Sequence, residues 1–104
     1  MAERKMVHTK VQLSRKKADG YVIPLGPVCL VAVITDLGMV GCGAFDVAAL
    51  DSFAVPAAKV RPAARDSIAS IEDLMEGVVK EANSSAEKLG LRPGLKGREA
   101  LELL

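Results

Sequence analysis

The feature of this sequence that most constrains its fold is a pair of apolar segments joined by a short turn. Residues 28–35 are continuously apolar and rich in β-branched side chains, which is typical of a central strand covered on both faces. Asp36-Leu37-Gly38 then offers a turn, and residues 39–45 return as a second strand. The sequence therefore predicts an antiparallel hairpin at the centre of a sheet.

Other segments predict the rest of that sheet. Residues 6–13 alternate between apolar and polar side chains, so they are expected to form a half-buried strand. Asp19-Gly20 ends a polar stretch, residues 15–20, that is typical of a hairpin turn. Short strands are expected to follow at residues 21–25 and 57–61.

The sequence predicts three helices. Asp46 is a candidate N-cap for a short helix running to about Phe53, and a last short helix is expected over residues 97–104. Between them, Ser70 and Asp73 have the spacing of a capping box. Apolar residues then repeat every three or four positions, which predicts one amphipathic helix over residues 70–89, laid across one face of the sheet. Gly77 falls on its polar side, where it is either tolerated at a cost in stability or marks a point where another backbone, of this fold or of a second chain, comes close; we favour the close approach.

These elements predict a single α+β domain over residues 1–104. Its mixed, mostly antiparallel sheet is expected to have about five strands, packed by one long and two short helices. Half of the residues are apolar and the net charge is only +1, a composition typical of a folded core rather than disorder. No apolar run reaches the 18 residues that a membrane span needs, and no secretory signal is visible, so a cytoplasmic protein is expected.

Positive charge is concentrated in residues 1–19, which hold six basic and two acidic side chains. Such an arm could contact nucleic acid. It could equally be a solvated hairpin whose lysines protect a sheet edge. The chain has only three aromatic residues with which to stack on bases, so we favour the solvated hairpin and expect no nucleic-acid partner.

Metal and disulfide chemistry have little support. The only histidine is His8, and the two cysteines, Cys29 and Cys42, have none of the paired spacings of zinc ligands, so no metal or cofactor is expected. If Thr35 pairs with Met39 in the central hairpin, Cys42 faces Ala32. If Asp36 pairs with Met39 instead, the two cysteines are again apart, so we expect no intrachain disulfide in either register.

Residues 40–46 contain the most unusual pattern. Gly41 and Gly43 lie on one face of a predicted strand, so a helix, a second subunit or a ligand is expected to approach the bare backbone there. Cys42 points the opposite way and is either a buried core residue or a functional thiol near a helix start. Asp46 is either a helix cap or a catalytic group. Arg61, at the end of a later strand, either binds an anion or is solvated.

No phosphate-binding loop, dinucleotide fingerprint or serine-nucleophile motif is present, so we do not favour an enzyme. One hypothesis is a non-enzymatic module that works as a homo-oligomer, with a dimer favoured, or that binds a small ligand at Gly41, Gly43 and Arg61. The other is a thiol-dependent enzyme or redox-responsive protein that uses Cys42 near Asp46, with Arg61 holding an anion.

Four strings together resemble the domain-of-unknown-function family 1805, the YunC-like proteins. They are GYVIPLGP at residues 20–27, CGAFDVAALD at 42–51, IEDL at 71–74 and GREAL at 97–101. The resemblance implies one compact α+β domain with a sheet packed by helices, and it implies no activity. The residues that it highlights are Cys42, Gly43, Asp46 and Glu72-Asp73. The first 19 residues carry no match.

Overall fold

One sheet of six strands runs through the described part of the computed structural model, residues 5–63 and 66–104. Met1–Arg4 of the basic arm and Ala64–Arg65 of the predicted loop lie outside the described residues. The strands are β1 (Val7–Gln12), β2 (Lys17–Leu25), β3 (Val28–Ile34), β4 (Met39–Gly41), β5 (Ala57–Arg61) and β6 (Val78–Ala82). The helices are α1 (Val47–Asp51), α2 (Ile71–Glu76), α3 (Ser84–Glu87) and α4 (Gly97–Glu102).

The spatial order of the strands is the same as their order in the chain. Neighbouring strands are antiparallel except β4 and β5, which are parallel and are connected through α1. The predicted α+β class and the mixed, mostly antiparallel sheet are therefore confirmed, with six strands rather than about five.

The central hairpin is also confirmed, but its second strand is shorter than predicted, since β4 ends at Gly41 rather than at residue 45, and its predicted register is wrong. Ile34 pairs with Met39, so Cys42 lies opposite Val31 and donates its amide to the Val31 carbonyl at 3.0 Å. Thr35 belongs to the turn instead of the strand. Its amide donates to the Gly38 carbonyl at 2.8 Å, and its Oγ1 accepts from the Gly38 amide at 3.2 Å. This local hydroxyl–amide bonding competes with strand pairing.

The predicted long helix over residues 70–89 is wrong. Its first six residues after Ser70 form α2, and Ser70 caps them as expected, with Oγ accepting from the Asp73 amide at 3.1 Å. Gly77 then turns extended, with ψ of 171°, and the chain continues as β6 alongside β5. Asn83 caps α3, a separate short helix. The helical spacing of apolar residues across this segment is coincidental, because Val79 is buried through the pairing of β6 with β5 and not on a helix face.

Gly77 lies where the prediction placed a close backbone approach. A Cβ at Gly77 would lie 2.9 Å from the Arg61 carbonyl oxygen and 3.2 Å from Val60 Cβ. The contact is with β5 of the same chain. It is this contact that lets α2 end directly against the sheet.

The first hairpin turns earlier than predicted. The Leu13 amide donates to the Lys16 carbonyl at 2.8 Å, so β2 already begins at Lys17. Asp19 and Gly20 are strand residues, not turn residues. Gly20 is needed for packing, because a Cβ there would lie 2.5 Å from Ile71 of α2.

Strand alternation divides the apolar residues between two faces of the sheet. The inner face packs against α2, α3 and α4 and holds the main core, which includes Val31, Val33, Leu74, Ala86 and Leu101. The outer face carries a smaller cluster in which Val47 of α1 packs on Ala32, Met39 and Ala57. On the outer face α1 covers the part near β4, β5 and Ala32, and no other helix of the described residues covers β1, β2 and the rest of β3.

Candidate functional site

Cys42 lies directly after β4, on the inner face, and is only 6% exposed. Gly41 and Gly43 beside it have different surroundings. A Cβ at Gly41 would lie 2.4 Å from Phe45 Cδ2, so the group that approaches this glycine is a ring of the same chain. A Cβ at Gly43 would meet no atom within 4 Å. The expectation of one shared bare face is therefore wrong, and only the Gly43 side is open.

A cavity of about 270 Å³ opens beside Gly43. Among the described residues, its polar and small lining residues are Cys29, Cys42, Gly43, Arg61, Asp66, Ser67 and Lys80. The fold thus brings together three residues that were singled out from the sequence, Cys42, Gly43 and Arg61. Arg61, Asp66 and Lys80 are exposed, so the charged groups lie at the mouth of the cavity and the Cys42 side chain lies deeper.

Asp46 and Gly41 are not among the lining residues of this cavity. Asp46 is the N-cap of α1, and its Oδ1 accepts from the Ala49 amide at 3.0 Å. That bond satisfies one of the backbone donors that a helix start leaves open. The capping role expected from the sequence is therefore present, and the geometry does not pair Asp46 with Cys42 and Arg61.

The two cysteines are diagonal neighbours on the inner face. Cys42 lies opposite Val31, two residues along β3 from Cys29. Diagonal neighbours on adjacent antiparallel strands have Cα atoms about 7–8 Å apart, beyond the roughly 6.8 Å limit of ordinary disulfides. Cys42 is a free thiol. The separation of the two thiols agrees with the expectation of no intrachain disulfide, although the register behind that expectation differed.

Sequence reasoning did not identify Cys29, Asp66 and Lys80 as neighbours of Cys42. Lys80 was missed because its segment was predicted to be helical, which placed it on a solvated helix face. It lies in β6, where the pairing shifts: Lys59 pairs with Glu81 but Val60 pairs with Val79. This shift in pairing could be anticipated only after residues 78–82 had been recognised as a strand.

A larger groove of about 710 Å³ lies between α2 and the inner face of β1 and β2. Val11, Ile71 and Met75 are among its apolar walls, and Glu72 lines it with Lys10, Glu76 and Arg98. Glu72 thus borders a mostly apolar space. Its neighbour Asp73 has a local role, because Oδ2 accepts from the Ala69 amide at 3.1 Å just before α2.

The outer face of β1 and β2 carries a polar cluster. The His8 ring stacks on Tyr21 with the ring centroids 4.6 Å apart, and His8 Nε2 lies 2.9 Å from Asp19 Oδ1. Lys10 Nζ donates to the same oxygen at 2.7 Å. Hydrogen bonds from Lys10 and then His8 lower the pKa of Asp19 below its usual value. Lys10 of the basic arm is therefore paired with an acidic residue of the adjacent strand.

Within residues 5–63 and 66–104, no group of three or more His, Cys, Asp or Glu side chains could hold a metal ion. In the same ranges, none of the helices has the length and apolar character to span a bilayer.

A large part of the chain is similar to a known protein family. A family model described as "Domain of unknown function (DUF1805)" matches residues 41–104, from β4 to the last helix. The chain belongs to the DUF1805 family. The resemblance stated from the sequence is thereby confirmed. The matched region contains Cys42, Gly43, Arg61 and Lys80, so most of the cavity lies within the family domain.

Two relatives of this DUF1805 chain are informative. The "Uncharacterized protein YunC" of Bacillus subtilis (strain 168) is 29% identical over 93 residues, which cover 89% of this chain and 91% of that protein. A crystal structure of "a Protein of Unknown Function TA1206 from Thermoplasma acidophilum" matches with a TM-score of 0.84 at 20% identity, over 94% of this chain and 91% of that chain. The second match shows a shared fold.

Proposed function

We propose that this DUF1805 chain is a non-enzymatic cytoplasmic module that works as a homodimer, formed through the outer face of its sheet. The observation that carries the proposal is the uncovered part of that face. Ile23, Leu25, Val28 and Ile34 share it by strand register, and all four are exposed. Ile23, Leu25 and Val28 are neighbours there, and Ile34 lies beside Asp19 nearer the other end of the same two strands. Exposed apolar surface of this kind on a small protein is typical of an interaction site.

The exposed apolar area of this face supports a second copy of the chain as its partner. Phe53, just after α1, is 79% exposed, the highest value among the large apolar residues described. A two-fold axis would place Phe53 of each copy on the bare part of the sheet of the other copy. With Phe53, the four aliphatic residues supply on the order of 400 Å² of apolar surface. A standard dimer buries about 800 Å² per copy, somewhat more than half of it apolar, so the areas agree.

Sedimentation equilibrium tests the proposal. We expect a dimer at micromolar concentration for the native chain, and at least a tenfold weaker association for Ile23→Lys and Phe53→Lys. Leu103→Lys is the matched control, because Leu103 is exposed to a similar degree as Ile23 but lies at the end of α4, which packs on the inner face. A native chain that stays monomeric at 100 μM contradicts the proposal, as does a dimer that neither outer-face variant weakens.

The alternative is a thiol-dependent enzyme or redox-responsive protein. Its support is that Cys42 and Arg61 line one cavity. Asp46 is committed to the α1 cap, and His8 lies on the outer face, so neither supplies a base to the thiol. Alkylation of the native protein tests this alternative. A Cys42 that reacts with iodoacetamide only after unfolding contradicts it, and rapid native-state reaction supports it.

A further inference from the structure

The irregularity between β5 and β6 directs one lysine into the cavity beside Cys42. Lys59 pairs with Glu81 and Val60 pairs with Val79, so Lys80 is the extra residue of a β-bulge. A bulge interrupts the regular alternation of side chains and re-aims the residue at that point. Lys80 lines the same cavity as Arg61, the last residue of the neighbouring strand β5.

The charges facing this cavity favour an anion. Of the described residues, two cations, Arg61 and Lys80, and one carboxylate, Asp66, line it. Across the described residues, no ion pair joins Arg61 or Lys80 to a carboxylate, whereas Lys59 on the same strand is paired with Glu81 at 3.3 Å. The opening therefore presents two cationic side chains whose charge other groups of the described chain do not neutralise by direct contact.

The rest of the lining limits the size and character of an occupant. Gly43 leaves space, since a side chain there would meet nothing within 4 Å. The Cys42 side chain forms a small, weakly polar inner wall. At about 270 Å³ the cavity is at or below the lower end of the range for drug-sized ligands, roughly 300–1,000 Å³, so its occupant is a small molecule.

We propose that this cavity is a binding site for a small molecule carrying a carboxylate or phosphate group. The oxyanion lies between the guanidinium of Arg61 and the ammonium of Lys80. An Arg guanidinium binds such groups through two parallel hydrogen bonds, and a Lys ammonium adds a compact second charge. The remainder of the ligand extends past Gly43 towards Cys42. The site is formed within one copy of the chain, so it does not depend on self-association.

The thiol provides a local probe of this charge. Iodoacetate and iodoacetamide alkylate a thiolate in the same way, each with loss of iodide, but only iodoacetate is an anion. The quantity measured is the ratio of the rate with iodoacetate to the rate with iodoacetamide at Cys42, resolved by peptide mass spectrometry. At low salt we expect this ratio to be at least threefold higher in the native protein than in the unfolded chain. Lys80→Gln should reduce the ratio about threefold, since a unit charge within several ångströms in a water-like medium changes the free energy of a nearby monoanion by roughly RT. Lys17→Gln, at the exposed start of β2, should leave it unchanged.

Thermal unfolding gives a second readout that does not need a reactive thiol. Inorganic phosphate or succinate at 50 mM should raise the Tm of the native protein above its value in chloride of equal ionic strength, because a ligand that binds only the folded state stabilises it. The increase should be clearly larger in the native protein than in Lys80→Gln and in Arg61→Gln, because the general stabilisation by phosphate needs neither residue. Comparing the two anions identifies which oxyanion the site prefers.

Two results would overturn the proposal. One is a native rate ratio equal to that of the unfolded chain and unchanged by Lys80→Gln. The other, decisive where Cys42 reacts with neither reagent in the native protein, is a Tm that neither anion raises more in the native protein than in Lys80→Gln and Arg61→Gln.

Discussion

Asn83 and Ala57 exchange two hydrogen bonds. The backbone N–H of Asn83 donates to the Ala57 carbonyl at 3.0 Å, and the backbone N–H of Ala57 donates to the side-chain oxygen Oδ1 of Asn83 at 3.1 Å. The side-chain nitrogen of Asn83 donates to the carbonyls of Val47 and Val55, each at 2.9 Å, and Oδ1 also accepts from the Ala86 amide. This 7%-exposed side chain therefore joins α1, the start of β5 and α3.

Replacing Asn83 should be among the most damaging single changes in the chain. Asn83→Ala leaves buried amides and carbonyls unpaired, each at a cost of about 1–3 kcal/mol, so we expect a loss of about 3 kcal/mol or more in the free energy of unfolding, measured in urea. Ser70→Ala removes an N-cap that is less buried and should cost about 1 kcal/mol. An Asn83→Ala variant that loses no more than Ser70→Ala is inconsistent with the hydrogen-bonded role.

Gly41 and Gly43 form a matched pair for alanine substitution. Gly41→Ala places Cβ 2.4 Å from the Phe45 ring, so the ring must move, and we expect a loss of about 1–3 kcal/mol. Gly43→Ala meets nothing within 4 Å and should change stability by less than about 0.5 kcal/mol. Urea unfolding of both variants measures the difference. Equal effects would mean that the Phe45 contact does not constrain Gly41.

Gly77→Ala distinguishes the observed break in the chain from a continuous helix. Within a helix this change would stabilise by about 1 kcal/mol, because alanine is the better helix former. Here the new methyl group would lie 2.9 Å from the Arg61 carbonyl oxygen, on rigid backbone, so we expect destabilisation of at least about 1 kcal/mol. An increase in Tm would contradict the α2–β6 arrangement.

The hydrogen bonds that Asp51 accepts predict a loss of stability of the folded protein at acidic pH. Hydrogen bonds from the side chains of Ser84 and Ser85, and from the Ser85 amide, lower the pKa of Asp51 from 3.8 to about 2. Because the folded-state pKa is the lower one, this contribution to stability is present above pH 4 and is lost as the pH falls from about 4 to 2. The urea midpoint should fall less steeply over that range in a Ser84→Ala, Ser85→Ala double variant. A slope as steep as that of the native chain would exclude this linkage.

The parts of the fold that could be predicted are those where local and long-range signals agree. The β3–β4 hairpin combines a β-branched run with a turn, and α1 combines the Asp46 cap with an apolar face on Val47. The helix prediction for residues 70–89 was wrong because the spacing of apolar residues was given more weight than the conformational preferences of individual residues. Gly77, the Val78-Val79 pair and Asn83 all disfavour a helix interior, and β6 is additionally stabilised by pairing with β5, which the spacing of residues 70–89 does not reveal.

The cavity residues divide in the same way. Cys42, Gly43 and Arg61 lie close to clear strand signals, so their neighbourhood could be anticipated in outline. Lys80 reaches the cavity only through a register shift between two strands, which depends on tertiary pairing. Asp46 was a candidate because it follows Cys42 closely in sequence, but it is the α1 N-cap and does not line the cavity.

The sheet order β1 to β6 has a consequence for biogenesis. A ribosome releases the chain from its N-terminus, so each strand after β1 emerges when its neighbour in the sheet has already been synthesised. The two turns that join β1 to β2 and β3 to β4 span only four residues each, and closing such short loops costs little chain entropy. Assembly can therefore proceed strand by strand during translation. The first long connection is the one between β4 and β5, which contains α1.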